Sequence, residues 1–137
     1  MTSDERKAGP FNNAKPEGYE DLLVWQKGMD LVKRAYEITR TFPRDEKFGL
    51  VSQMRRAAVS IPSNIAEGQA RRSTGEFVQF LSHAEGSLAE LSTQLLLSVQ
   101  LGFCSKERTE EAILLARELR RKLNGLRRKL EERRSAA

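Results

Sequence analysis

Two side chains that commonly bind metals or act as nucleophiles occur once each in this sequence, His83 and Cys104. Bundle-type di-iron sites need a Glu-x-x-His pair on facing helices, because the carboxylate and imidazole must share one helix face. Phe80 stands three residues before His83, so that pattern is absent. Cys104 has no second Cys or His at zinc-ligand spacing and reads as a small apolar residue in a loop. There is neither a glycine-rich phosphate loop nor a Gly-x-Ser-x-Gly elbow. The expectation is a protein without catalytic residues, metal or cofactor.

Arginine is the side chain present in quantity. From Arg117 to Arg134 nine basic residues face three glutamates, a net of +6, whereas the whole chain carries +5. The positive charge is therefore local, and a local patch attracts polyanions. At 100° per residue, Arg117, Arg121 and Arg128 project opposite a leucine stripe. Arg120, Arg127 and Arg134 take one flank, and Lys122, Lys129 and Arg133 the other. Solvation of a helix face accounts for part of this. So do the preference of cations for a helix C-terminus and an i,i+4 pair between Glu118 and Lys122. The shortage of balancing acid is left over. Phosphate contact requires clustered Arg and Lys and little else. Base readout is not expected, since helix-turn-helix spacing is lacking and aromatics for stacking are few.

A second basic group is Arg55, Arg56, Arg71 and Arg72. Arg55 and Arg56 border an apolar stripe. Ion pairs to Glu67, Glu76 or Glu90 are one reading, and phosphate contact is the other. The expected nucleic-acid surface is Arg117, Arg120, Arg121, Arg127 and Arg128, joined by Arg55, Arg56, Arg71 and Arg72.

Four amphipathic helices are needed to position these residues. The first is predicted over 19–41, with Leu22, Trp25, Met29, Val32, Tyr36 and Thr39 as its stripe and Pro43 enforcing its end. Gly28 in its middle costs about 1 kcal/mol against Ala, which points to a close helix contact. The second covers 45–70, with Leu50, Met54, Ala57, Ile61 and Ile65 on one face. Asp45 and Glu46 suit its positive N-terminal end. Pro62 either breaks this helix near Ser60 or kinks it. The stripe keeps its phase across Pro62, which favours the kink. Ser60, Ser63 and Asn64 can supply side-chain hydrogen bonds where the ladder is cut, and Gly68 can end or loosen the last turn.

The third helix, 74–101, opens on Ser73-Thr74-Gly75-Glu76, a capping box, and Gly102 stops it. Phe77, Leu81, Ala84, Leu88, Leu91, Leu95 and Ser98 line its face. The fourth, 106–134, is capped by Ser105 and carries Thr109, Ala112, Ala116, Leu119, Leu123, Leu126 and Leu130. Short connections make neighbours antiparallel, so the fold class is all-α, an up-down antiparallel four-helix bundle. Residues 1–18 read as a flexible polar tail, 19–134 as the bundle and 135–137 as a short C-terminal tail. The polar N-terminus lacks an apolar signal region, no run approaches about 20 apolar residues, and a lone cysteine suits a reducing compartment. The expected location is the cytoplasm, away from membranes.

Four stretches carry a resemblance: YEDLLVWQKGMDL (19–31), FPRDEKFGLVSQMRRAAVSIPSNIAEGQAR (42–71), STGEFVQFLSHAEGSLAEL (73–91) and LGFCS (101–105). Together they resemble the four-helix-bundle family encoded in intervening sequences of bacterial large-subunit ribosomal RNA genes. That family is similar to the accessory variability protein of diversity-generating retroelements. The resemblance spans about residues 19–130. It implies a bundle protomer assembled as a ring-like homopentamer. For the retroelement relatives it implies binding of nucleic acid and of a reverse transcriptase through a positive surface. Arg55, Arg56, Ser60, Pro62, Asn64 and Glu67 match the family's signature, with Ser60, Pro62, Asn64 and Glu67 read as structural. No catalytic residues carry over.

Overall fold

The computed structural model describes Gly18, Tyr19 and residues 22–136. The tail expected over 1–18 lies almost wholly outside the described residues. Among the described residues there are four α-helices, a short 3-10 turn (Arg44–Glu46) and no strand. The helices are α1 (Leu23–Thr39), α2 (Leu50–Gln69), α3 (Thr74–Gln100) and α4 (Lys106–Ala136). Each packs on the next, and α4 packs back on α1, closing a four-helix bundle. Cross-helix pairs run in opposite senses: Ser60 meets Ser87 while Gly68 meets Phe80, and Lys27 meets Glu118 while Arg34 meets Glu111. Neighbours are thus antiparallel.

The core is aliphatic. Leu31, Met54, Ile61, Ile65, Leu81, Leu91, Leu95, Leu119 and Leu123 are fully enclosed. The stripes expected on α2, α3 and α4 are the buried faces, with Phe77, Leu126 and Leu130 only half-buried against them. On α1 the expected face is displaced. Val24, Gly28, Leu31, Ala35 and Ile38 are buried; of the expected set Thr39 is buried, Met29 and Tyr36 are exposed, and Leu22, Trp25 and Val32 pack at the edge. Both stripes have helical period, one residue out of phase. The face with Gly28 and Ala35 wins because small residues let the helices approach closely. The bulkier set lies along the flank.

One helix runs through Pro62, so the alternative of a break near Ser60 does not hold. Pro62 is buried against α1: a Cβ on Gly28 would stand 3.5 Å from its Cβ and 3.6 Å from its Cδ. Beside the missing backbone donor, the Ser60 hydroxyl donates to the Ala57 carbonyl (3.0 Å) and the Asn64 amide to the Ser60 carbonyl (2.7 Å). Gly68 does not end the helix; it lies in its last turn, where α2 and α3 touch.

The helix ends follow local chemistry. Asp45 and Glu46 fall in the 3-10 turn and α2 starts later, at Leu50, whose N–H donates to the Glu46 carboxylate (3.0 Å). Ser73 accepts from the Glu76 N–H (3.1 Å), and Ser105 accepts from that of Arg108 (3.1 Å). Gly102 has φ +78°, and beside it the Phe103 N–H bonds to Ser98 O (2.9 Å) and the Gly102 N–H to Val99 O (3.0 Å). That is a Schellman stop, and the left-handed residue in it favours glycine. At the other end of α4 the helix runs past 134 to Ala136.

Candidate nucleic-acid interface

The expected arginines divide into two classes. Arg117, Arg120, Arg121 and Arg128 are exposed on α4, and none makes an ion pair or hydrogen bond to another described residue. Arg117 to Arg128 spans 11 residues, about 16 Å along the axis. Unpaired acids on α4 lie beyond both ends of this segment, at Glu107 and Glu110 before it and Glu132 after it. The segment is thus a bounded cationic face.

Arg127 belongs to the other class. Its guanidinium bridges Glu85 of α3 (2.6 Å) and Glu131 one turn on (3.0 Å). The Glu85 hydrogen bond holds its pKa above the ordinary arginine value, against the opposing pull of burial. Glu85 and Arg127 are each about a quarter exposed, which makes this the most enclosed ion pair on α4. It joins α3 to α4 and has its charge already matched. Glu118, expected to pair with Lys122, instead reaches Lys27 of α1 (3.1 Å). Arg34 of α1 meets Glu111 of α4 (2.6 Å), and Arg108 donates to the Glu37 carbonyl (2.8 Å). Arg34 is held above its usual pKa chiefly by the hydrogen bond to Glu111.

The second basic group does not form one surface. Arg55 is half-buried, donates Nε–H to Thr39 Oγ1 (2.9 Å) and stacks 4.4 Å over the Tyr36 ring. It fastens α2 to α1, and its partners are none of the glutamates considered. Arg56 is exposed and has no described partner. Arg71 pairs with Glu67 (3.3 Å) and lies over Phe80 (4.9 Å), while Arg72 is exposed beside it. Of the motif residues, Ser60 also contacts Ser87 Oγ, Pro62 packs on Gly28, and Asn64 and Glu67 make the bonds already described.

One feature of this surface lay outside the expected set. The outer edge of the α3–α4 groove, about 380 Å³, is lined by Leu96, Val99, Ile113, Leu114 and Arg117. Leu96 is 51% and Leu114 55% exposed. Leu114 lies only 60° from Arg117 on the wheel, well off the buried stripe. That was legible as an apolar residue on a polar face. Elsewhere, His83 is exposed near the Phe80 ring and Cys104 is buried and free. Among the described residues no group of three potential metal ligands occurs, and no helix is long and apolar enough to cross a membrane.

Residues 20–125 match the family described as 23S rRNA-intervening sequence protein. The chain belongs to that family. The match takes in all of α1, α2 and α3 and α4 as far as Gly125, so it includes Arg117, Arg120 and Arg121 but not Arg127 or Arg128. Among solved structures, the chain is similar to a protein of unknown function from the S23 ribosomal protein family of Bacteroides thetaiotaomicron. The two are 21% identical with a TM-score of 0.69, over 76% of this chain and 97% of that one. That likeness concerns the fold. A search of curated proteins found no match.

Proposed function

We propose that this member of the 23S rRNA-intervening sequence protein family is a non-enzymatic, self-assembling bundle that binds nucleic acid through its phosphates. The observation that carries this reading is the bounded face of four exposed, unpartnered arginines on α4. The arginines that do bridge two helices, Arg34, Arg55, Arg108 and Arg127, have their charge or donors engaged within the fold. Four phosphate contacts give a slope of log K against log salt of about −3.6 on a duplex, or roughly 150-fold between 50 and 200 mM. No sequence preference accompanies them. The free, buried Cys104 fits a cytoplasmic setting.

Self-assembly is supported by Leu96 and Leu114, apolar side chains whose groove rim carries both signs of charge, Lys106 and Arg117 against Glu110. A second copy is the occupant proposed, with the homopentamer as the implied number. Assembly would multiply a weak patch by avidity. The same groove favours the alternative reading, a scaffold docked on a nucleic-acid enzyme such as a reverse transcriptase.

The test is a salt titration of binding to labelled oligonucleotides, with the Arg117/Arg120/Arg121/Arg128→Glu variant alongside and its helicity checked. Salt-sensitive binding that disappears in the variant supports the phosphate reading. Binding indifferent to salt, or unchanged in the variant, overturns it.

A further inference from the structure

Free cations of α4 lie on both flanks of the helix, Arg120 on one and Lys122 and Lys129 on the other, and this carries the phosphate reading further. Arg117, Arg121 and Arg128 follow the outward line. Arg120 lies on the flank toward α3, the same flank from which Arg127 reaches Glu85. Lys122 and Lys129 lie on the opposite flank, where they border a groove with Leu22, Leu23 and Val24 of α1. Neither lysine has an ion pair among the described residues. The two flanks of a helix are separated by its own diameter with side chains, about 10–12 Å. The major groove of B-form DNA is about 12 Å wide, with a phosphate ridge on each side. A single strand has one ridge, and A-form RNA has a deep, narrow major groove that admits no helix.

No aromatic residue follows Phe103, so α4 offers nothing for unpaired bases to stack on. Stacking platforms are what single-strand grooves add to charge. With flanking cations and no platform, backbone contact on two ridges is the mode that uses the free cations of both flanks.

We infer that α4 is a binding site for B-form duplex DNA, with Arg120 on one flank and Lys122 and Lys129 on the other meeting the phosphates on either side of one groove. The inference rests on the phosphate reading above. About 16 Å of helix axis covers roughly 5 base pairs at one charge per 1.7 Å.

The experiment compares DNA duplex, single-stranded DNA and RNA duplex of equal length by fluorescence anisotropy at fixed salt. The full chain is used together with Lys122→Ala/Lys129→Ala, its fold checked by thermal unfolding. DNA duplex should bind at least 10-fold tighter than either other form. The double variant should lose most of that preference while its single-strand affinity stays within about twofold. Equal affinity for the three, or an equal loss on all three in the variant, overturns the two-ridge inference but leaves phosphate binding standing. Absence of binding in every arm overturns both.

Discussion

A Cβ placed on Gly68 would stand 2.5 Å from the Cβ of Phe80 and 3.1 Å from a ring carbon of Phe77. Backbone of α2 and side chains of α3 are in contact there, and no methyl group fits between them. Gly28 offers the contrast. Its added Cβ would meet Ile61 and Pro62 at 3.5 Å, an ordinary contact. Gly68→Ala should therefore destabilise the bundle by about 1–3 kcal/mol through overpacking. Gly28→Ala should stabilise it by up to about 1 kcal/mol through helix propensity. Urea unfolding of the two variants checks both signs, and a loss of stability in both would show that the contact of Gly28 with Pro62 does not admit a methyl group.

Arg55 tests whether a motif arginine acts on a ligand or on the fold. Its Nε–H bond to Thr39 and its stacking on Tyr36 are both made by the guanidinium. Lysine keeps the charge and loses the planar fork. Arg55→Lys should cost about 1 kcal/mol of folding stability and leave nucleic-acid affinity unchanged. A variant of wild-type stability and reduced affinity would instead return Arg55 to the binding surface.

Which parts of this architecture were legible in the sequence follows from how local each determinant is. Helix ends set by Ser73, Gly102 and Ser105 depend on residues within one turn, and they stand where the sequence places them. The stripes of α2, α3 and α4 are single and unambiguous. On α1 two apolar stripes coexist, and periodicity cannot rank Val24, Leu31 and Ile38 above Trp25, Met29 and Tyr36. The ranking comes from Gly28 meeting Pro62, a contact made across 34 residues. Charge had the same limit. The basic run on α4 was visible, but Glu85, which removes Arg127 from it, lies 42 residues away on another helix.

Arg127 and Arg121 should accordingly behave in opposite ways. Breaking the enclosed pair by Arg127→Ala should cost about 1–2 kcal/mol, discounted from the fully buried case because both side chains retain some water contact. Arg121→Ala should change stability by less than about 0.5 kcal/mol and lower nucleic-acid affinity several-fold. The pH dependence has a definite sign. A guanidinium pKa raised in the folded state contributes stability that is complete below the ordinary arginine pKa and is lost only as pH rises through the raised value. Arg127 should therefore add no slope to stability between pH 7 and 11. Unfolding curves across that range, for wild type and Arg127→Ala, should differ by a constant offset. An offset that shrinks with pH within it would mean that another group titrates against Glu85.

Leu96 and Leu114 belong to the surface that assembly would cover. Both are half exposed in the protomer, so replacing them removes little from its core. Leu96→Glu/Leu114→Glu should leave the unfolding midpoint of the isolated protomer nearly unchanged. Placed in a dry interface, two carboxylates in each groove would cost several kcal/mol of association. Sedimentation velocity should then show an oligomer for the wild type and monomer for the variant at the same concentration. Nucleic-acid affinity should fall as well, because avidity is lost although every arginine is retained. An unchanged oligomer would place the subunit contact elsewhere, and the next surface to alter would be Met29, Tyr36 and Val59, exposed on α1 and α2.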